Sequence, residues 1–332
     1  MTPAINFTSG AVDNGPQPSI PVNSIGTPSF SGHETFPFRY AWLPKAVRAT
    51  EEDTGIFGRE DAMVRLGVGK NMVSSIRHWA LACGILEQDP AESNGRGRQL
   101  VPTDLGRRLF TPGGWDPYLE DPGTLWLLHW QLATGVDKAT TWSWTFNHAP
   151  SLDFTRAELT RWLRTLADRN GWKRLTANTL KRDVEVFVRS YVPARVSKRT
   201  HVEDTLDCPL VELGLIREGH ERGLLHITRD TQPSLPDEIF AACLVEYVAR
   251  CGHGAAALPV QTVGFEPGAP GQVFCLNEEA LLTRVERLGP LTNGAIRFDE
   301  TAGLRTLLFE PPAPTKLALL GSYYAHAGGA AA

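Results

Sequence analysis

The apolar positions between Gly58 and Phe110 define the unit around which the chain is organised. In REDAMVRLGV, Ala62, Met63 and Leu66 recur at helical spacing. A Gly67-Val68-Gly69 turn follows, because glycine enters left-handed backbone conformations at no steric cost. Met72, Val73, Ile76, Trp79 and Ala80 then make one apolar face of a second helix, from Lys70 to about Cys83. Past Gly84, GILEQ predicts a strand, SNGRGR a loop and QLVPT a returning strand, after which Thr103 caps a third helix, DLGRRLF. Two helices joined by a short Gly turn are the helix-turn-helix pattern. With the hairpin and third helix they predict a winged helix, whose second helix is the one such units lay into a major groove.

Ahead of this unit, residues 1–28 mix Pro, Gly, Ser and Asn without periodicity and predict a disordered lead. After Pro37 the residues Phe38, Tyr40, Trp42, Leu43 and Val47 fit a helix packed on the winged unit. LEDPGTLWLLHWQLATG has the apolar density of a buried helix, and Trp126, Trp130, Trp142 and Trp144 are most simply core. Asp153 to Tyr191 predicts two or three helices, one started near Asp153-Phe-Thr and one at Thr176. Pro236 to Ala249 predicts another. QTVGFEPGAPGQVFCLNEEALLTRVERL then offers strand, Pro/Gly turn, strand and helix, and AIRFDETAGLRTLLFE a strand and a short helix. The expected architecture is mainly α with small β wings. An N-terminal winged helix (29–112), a Trp-rich basic helical body (113–232) and a C-terminal winged-helix-like module (233–312) precede a tail (313–332), whose end, HAGGAAA, is expected to be loose.

Composition changes this picture only locally. With 332 residues the chain has room for two or three compact units, and a net charge of -4 gives no chain-wide basic signature. From Arg156 to Arg199, however, twelve Lys and Arg face only Glu158, Asp168, Asp183 and Glu185. Charges along helices usually only solubilise, but this excess exceeds that need. If Arg174, Lys181 and Arg182 contact phosphates, binding weakens steeply with salt. Trp162 and Trp172 lie among these cations; they could stack on unpaired bases, although packing is the simpler use. The five cysteines form no CxxC pair, so neither a zinc site nor a disulfide framework is expected. No basic start precedes an apolar run, and no stretch has the length of a membrane helix. A cytoplasmic protein without a membrane partner is the expectation.

Candidate chemistry falls in two places. Lys70, Asn71, Ser74, Arg77 and His78 share the outward side of the second helix. Arg and Asn suit bidentate contacts to guanine and adenine, and Lys70 and Ser74 at the helix start suit phosphates. The same spacing serves a solvated face used for protein contacts. The second place is His33-Glu34-Thr35 with Arg39. Glu34 could bind a divalent metal or take a proton from water, with His33 as acid or base and Arg39 on the phosphate. Chemistry alone favours Glu34 capping, or pairing with Arg39, to fix the start of the first helix. Glu60, Asp61 and Asp104 read as helix-start residues. GVGKN is not a phosphate-binding loop, because Val64 and Asn71 stand where that loop needs Gly and Ser or Thr. Standard nuclease and hydrolase signatures are absent from the sequence.

GHETFPFRYAWLPKA (Gly32 to Ala46) and EDAMVRLGVGKNMVSSIRHWALACGILE (Glu60 to Glu87) carry a resemblance. DPGTLWLLHWQLA, WTFN, PLVELGLI, PGAPGQVFCLNEEAL and TAGLRTLLF extend it over nearly the whole chain. The sequence resembles a bacterial family of unknown-function domains encoded beside DNA phosphorothioation genes, whose best-understood members are the SspB proteins. The resemblance implies a DNA-nicking protein that works with a cysteine desulfurase and ATP-using partners. There, sulfur replaces one non-bridging phosphate oxygen on one strand, in a mark that supports phage defence. A divalent metal, Mg²⁺ or Mn²⁺, is expected from the reaction class. The rival expectation is a non-catalytic DNA-binding adaptor that recruits the sulfur-transfer proteins. A plain transcription regulator would need a dimer on a palindromic operator, and no dimer helix is evident.

Overall fold

A computed structural model of the chain describes residues 27–91, 99–193, 208–251 and 257–329. The expected disordered lead, apart from its last two residues, lies outside them, as do the SNGRGR loop and three cations, Arg195, Lys198 and Arg199. The apolar period around Gly67 produces the predicted order of elements. Helix α1 (Trp42–Glu52) precedes α2 (Ala62–Leu66), and Gly67 closes α2 at φ 62°. Helix α3 (Lys70–Ala82) buries Val73, Ser75, Ile76, Trp79 and Ala80. Strands β1 (Leu86–Gln88) and β2 (Leu100–Pro102) pair antiparallel, Glu87 opposite Val101. Thr103 then caps α4 (Asp104–Phe110), its hydroxyl accepting from Gly106 N at 3.0 Å. A small apolar cluster of Ile56, Ala62, Leu66 and Val73 seats α2.

Helix α5 (Pro122–Thr134) is buried nearly all round, as its apolar density predicts, and α6 (Thr140–His148) packs beside it. Trp126, Trp130, Trp142 and Trp144 are all core. Asp153 does not cap the next helix. It lies in strand β3 (Asp153–Thr155), and the cap is Thr155, which forms a reciprocal capping box with Glu158 at the start of α7 (Arg156–Arg169). Thr176 caps α8 (Ala177–Tyr191) as expected. Strands β4 (Ile216–Glu218) and β5 (Leu224–Ile227) complete a three-stranded antiparallel sheet in the order β3-β5-β4.

Beyond α9 (Asp237–Arg250) and strand β6 (Ala257–Pro259), the two strands expected in QTVGFEPGAPGQVF are short helices, α10 (Val260–Phe265) and α11 (Pro270–Val273). The expected Pro/Gly turn is present at Pro267-Gly268, with Gly268 at φ 78°, while Gly264 and Gly271 on either side are used for packing. A Cβ on Gly271 would lie 2.7 Å from Gly264 Cα, so the two backbones touch. After α12 (Glu278–Leu291), the expected short helix is the second strand of a hairpin, β7 (Ile296–Thr301) with β8 (Leu304–Phe309). Ala302 and Gly303, at φ 53° and 79°, form the two-residue loop that matches strand twist. The loose HAGGAAA end is also corrected for its first four residues, which are helical; 330–332 lie outside the described residues. Helix α13 (Lys316–Gly329) docks on α9, burying Leu319, Leu320 and Tyr324, with Tyr324 stacked on Trp115 at 4.9 Å.

The result is mainly α with small antiparallel sheets. One contiguous core runs from Phe38 to Tyr324, so the three segments expected as separate units share it. All five cysteines are free thiols.

Candidate nucleic-acid interface

The segment from Ser29 to Thr35 joins α3, α6 and α8. Ser29 N donates to Thr140 Oγ1 at 2.9 Å, and the Phe30 ring meets Trp172 edge-on at 6.0 Å. Asp183, buried on α8, accepts from Ser31 N at 2.7 Å, from His33 Nε2 at 2.8 Å and from the Thr141 hydroxyl. Thr35 N donates to His33 Nδ1 at 3.2 Å, which fixes the tautomer: Nε2 carries the proton that goes to Asp183. Ser75 Oγ donates to the His33 carbonyl at 2.9 Å, and Trp79 Nε1 to the Phe36 carbonyl at 2.9 Å. Ser31, Glu34 and Thr35 all have left-handed φ (64°, 48° and 70°). Such residues cost roughly 1–3 kcal/mol each, and the surrounding hydrogen bonds hold them there.

This geometry redefines the first candidate group. His33 is buried with both ring nitrogens engaged, so it holds the loop and is not available as an acid or base. Glu34 stands exposed at the tip and forms no ion pair among the described residues. The Arg39 guanidinium lies over the Trp42 ring, 5.5 Å from its centroid. Among the described residues no three His, Cys, Asp or Glu side chains converge as a metal cage. An ion at Glu34 would therefore depend on oxygens from a bound phosphate, a mixed ligand set that Mg²⁺ commonly takes. Asp61 pairs with Arg59 at 3.0 Å and Asp104 with Arg107 at 3.5 Å, while Glu60 is exposed.

The outward side of α3 divides in two. Lys70, Asn71 and Ser74 are exposed, whereas Arg77 and His78 are half-buried and line a cleft of about 560 Å³. The His78 ring lies so close to Gly32 that a Cβ there would come within 2.3 Å of Nδ1. Burial pushes His78 down to about 4, so its imidazole is neutral at neutral pH. The expectation that Lys70 to His78 form one open face therefore holds only for its first half.

The basic run divides as well. Arg156, Arg161 and Arg164 pair with Glu185, Glu158 and Asp168 at 3.0, 3.7 and 3.2 Å. Lys173, Arg174, Lys181 and Arg182 are exposed and form no ion pair among the described residues. The unpaired positive charge thus gathers at the α7–α8 connection, next to Trp172 and hence to Phe30. Trp162 and Trp172 are half-buried against the core.

Asp183 is the residue that sequence reasoning missed, since it counts there only as a charge opposing the cations. Its signal is nonetheless present. Leu180, Asp183, Val184 and Phe187 fall on one stripe of α8, and a carboxylate in an otherwise apolar stripe must find donors inside.

Residues 30–324 match the family described as protein of unknown function DUF4007. Among solved structures, the chain is similar to magnesium ion-bound SspB, with 31% identity over 93% of this chain and 98% of that one, at a TM-score of 0.79. A second SspB crystal structure aligns over 90% and 95% of the two chains, again with 31% identity, at a TM-score of 0.76. Among curated proteins none matches the chain.

Proposed function

The chain belongs to the DUF4007 family and is SspB-like, and we propose that it is a DNA-nicking component of bacterial DNA phosphorothioate modification. The likeness to SspB points to the phosphorothioation system. In this reading the chain opens one strand so that the sulfur-transfer proteins, a cysteine desulfurase and ATP-using partners, can act on it. One observation carries the DNA half of the proposal. The segment Phe30 to Thr35 contacts both α3 and the α7–α8 connection, and presents Glu34 beside them. Residues 29–112 then act as a winged-helix unit, with Lys70, Asn71 and Ser74 toward the duplex. Arg174, Lys181 and Arg182 hold the backbone.

Helix α3 also has no capping side chain and no acidic residue in its first turn. Its free N–H groups and the positive end of its dipole are open to a phosphate. SspB has been solved with magnesium. By analogy, a Mg²⁺ or Mn²⁺ ion at Glu34 would neutralise charge on the phosphate under attack. The His33–Asp183 pair keeps Glu34 in its left-handed tip conformation, and Arg39 is assigned to the phosphate.

A second reading is a DNA-binding adaptor without catalysis of its own. It is favoured by the engagement of His33 with Asp183 and by the isolation of Glu34 among the described residues. Supercoiled plasmid separates the two. Open circles that require divalent metal and disappear in Glu34→Ala support nicking. Retarded but uncut plasmid supports the adaptor, and plasmid neither bound nor cut contradicts both.

A further inference from the structure

The cleft beside α3 has a composition that a solvent-filled surface dent does not need. Arg77 and His78 of α3 line it together with Glu87 of β1 and with Asp137 and Lys138 from the α5–α6 connection. Phe57 adds an apolar ring to the lining. At about 560 Å³ it falls in the size range of small-ligand sites and cannot admit a duplex. It opens along the same helix whose first half, Lys70 to Ser74, is exposed. Ser74 belongs both to that exposed half and to the lining, so the cleft adjoins the face proposed to meet DNA.

The lining suits one building block of such a strand. The two cations in the lining, Arg77 and Lys138, suit a phosphate. A phenyl ring and an uncharged imidazole offer flat faces to a base, and a carboxylate accepts from a base N–H. We propose that this cleft takes one unpaired nucleotide of the bound DNA, its base against Phe57 and His78 and its phosphate between Arg77 and Lys138. The proposal rests on the DNA-binding reading above and deepens it. An enzyme or adaptor acting on one strand gains a way to hold that strand apart from its complement, and swinging a nucleotide out costs least where pairing is already lost.

The test compares the full chain on a labelled intact duplex and on the same duplex with one bulged nucleotide, by fluorescence anisotropy. Stacking of a single base predicts about tenfold tighter binding to the bulged duplex. Gln88 is exposed on β1 and lines the cleft. Gln88→Trp should fill it, abolishing the preference while leaving affinity for the intact duplex and the unfolding midpoint unchanged. Lys138→Glu, also at an exposed position, should weaken binding to the bulged duplex selectively. Equal affinity of the wild type for the two duplexes overturns the pocket and leaves DNA binding standing. A preference that survives both substitutions overturns it too. Failure to bind either duplex removes the pocket together with the DNA reading.

Discussion

Two parts of the molecule repeat one arrangement, a helix followed by an antiparallel hairpin: α3 with β1–β2, and α12 with β7–β8. Their helix starts differ in kind. Helix α12 is closed by Asn277, whose side chain accepts from Ala280 N, and carries Glu278 and Glu279 in its first turn. Helix α3 has neither device and begins with Lys70 and Asn71. The C-terminal unit also pairs its own charges: Arg305 reaches Glu300 at 3.3 Å and Glu278 at 3.4 Å, and Arg297 pairs with Glu310. Order of elements therefore does not tell the two apart. The N-terminal helix leaves its dipole uncompensated beside the exposed Lys70, and the C-terminal helix satisfies its own. Of the two helix starts only the first leaves its positive end unbalanced, a difference that the order of elements does not reveal.

Acid should separate the regions most strongly. Burial pushes His78, His129 and His148 down to about 4 from an ordinary value of 6.5. Between those values the unfolded chain takes up protons that the folded chain does not. Their contribution is complete above 6.5 and is lost as pH falls toward 4, by up to ~1.4 kcal/mol per pH unit for each group. All three lie in α3, α5 and α6, and none in residues 278–309. Hydrogen exchange at pH 5 should show the N-terminal and central helices opening before β7–β8. Simultaneous opening would break the contrast.

Next in size is Asp183→Ala. It strands the Ser31 amide, the His33 ring and the Thr141 hydroxyl, and should cost about 3–5 kcal/mol in urea unfolding. Glu34 would lose its held position. A cost below ~1 kcal/mol would show that the Phe30–Thr35 loop is held by other interactions.

The smallest effect belongs to the C-terminal hairpin. Ala302 sits at φ 53° before Gly303, and Ala302→Asn supplies the Asn-Gly pair such loops prefer. A gain of about 1 kcal/mol is expected, because the left-handed conformation strains alanine more than asparagine. Duplex affinity should not change. A change in affinity would bring this hairpin into the DNA surface.

Much of the N-terminal unit could be read from sequence because its signals are local. Gly67, the Thr103 cap and the apolar period of α3 each act within a few residues. The C-terminal errors arose where one residue type serves two purposes. Gly264 and Gly271 look like turn glycines and act as touching points between helices. RTLLF is short and apolar enough for either helix or strand, and the strand is decided by the loop before it. In the candidate site, Glu34 and the outward residues of α3 were legible by type and spacing. The burial of His33 was not, because its partner lies 150 residues away in the chain. The turning of Arg77 into a cleft depends on the α5–α6 connection, which no local pattern announces.

The central claim is that the start of α3 and the α7–α8 connection form one DNA surface that the C-terminal unit lacks. Duplex affinity measured across salt concentrations tests it directly. Lys70→Glu and the double change Lys181→Glu with Arg182→Glu should each weaken binding and lower the slope of log affinity against log salt, by about 0.9 for each phosphate the protein no longer neutralises. Glu278→Lys with Glu286→Lys should leave the slope where it was. Slopes that ignore Lys70, Lys181 and Arg182 but rise with the added C-terminal lysines would contradict the account.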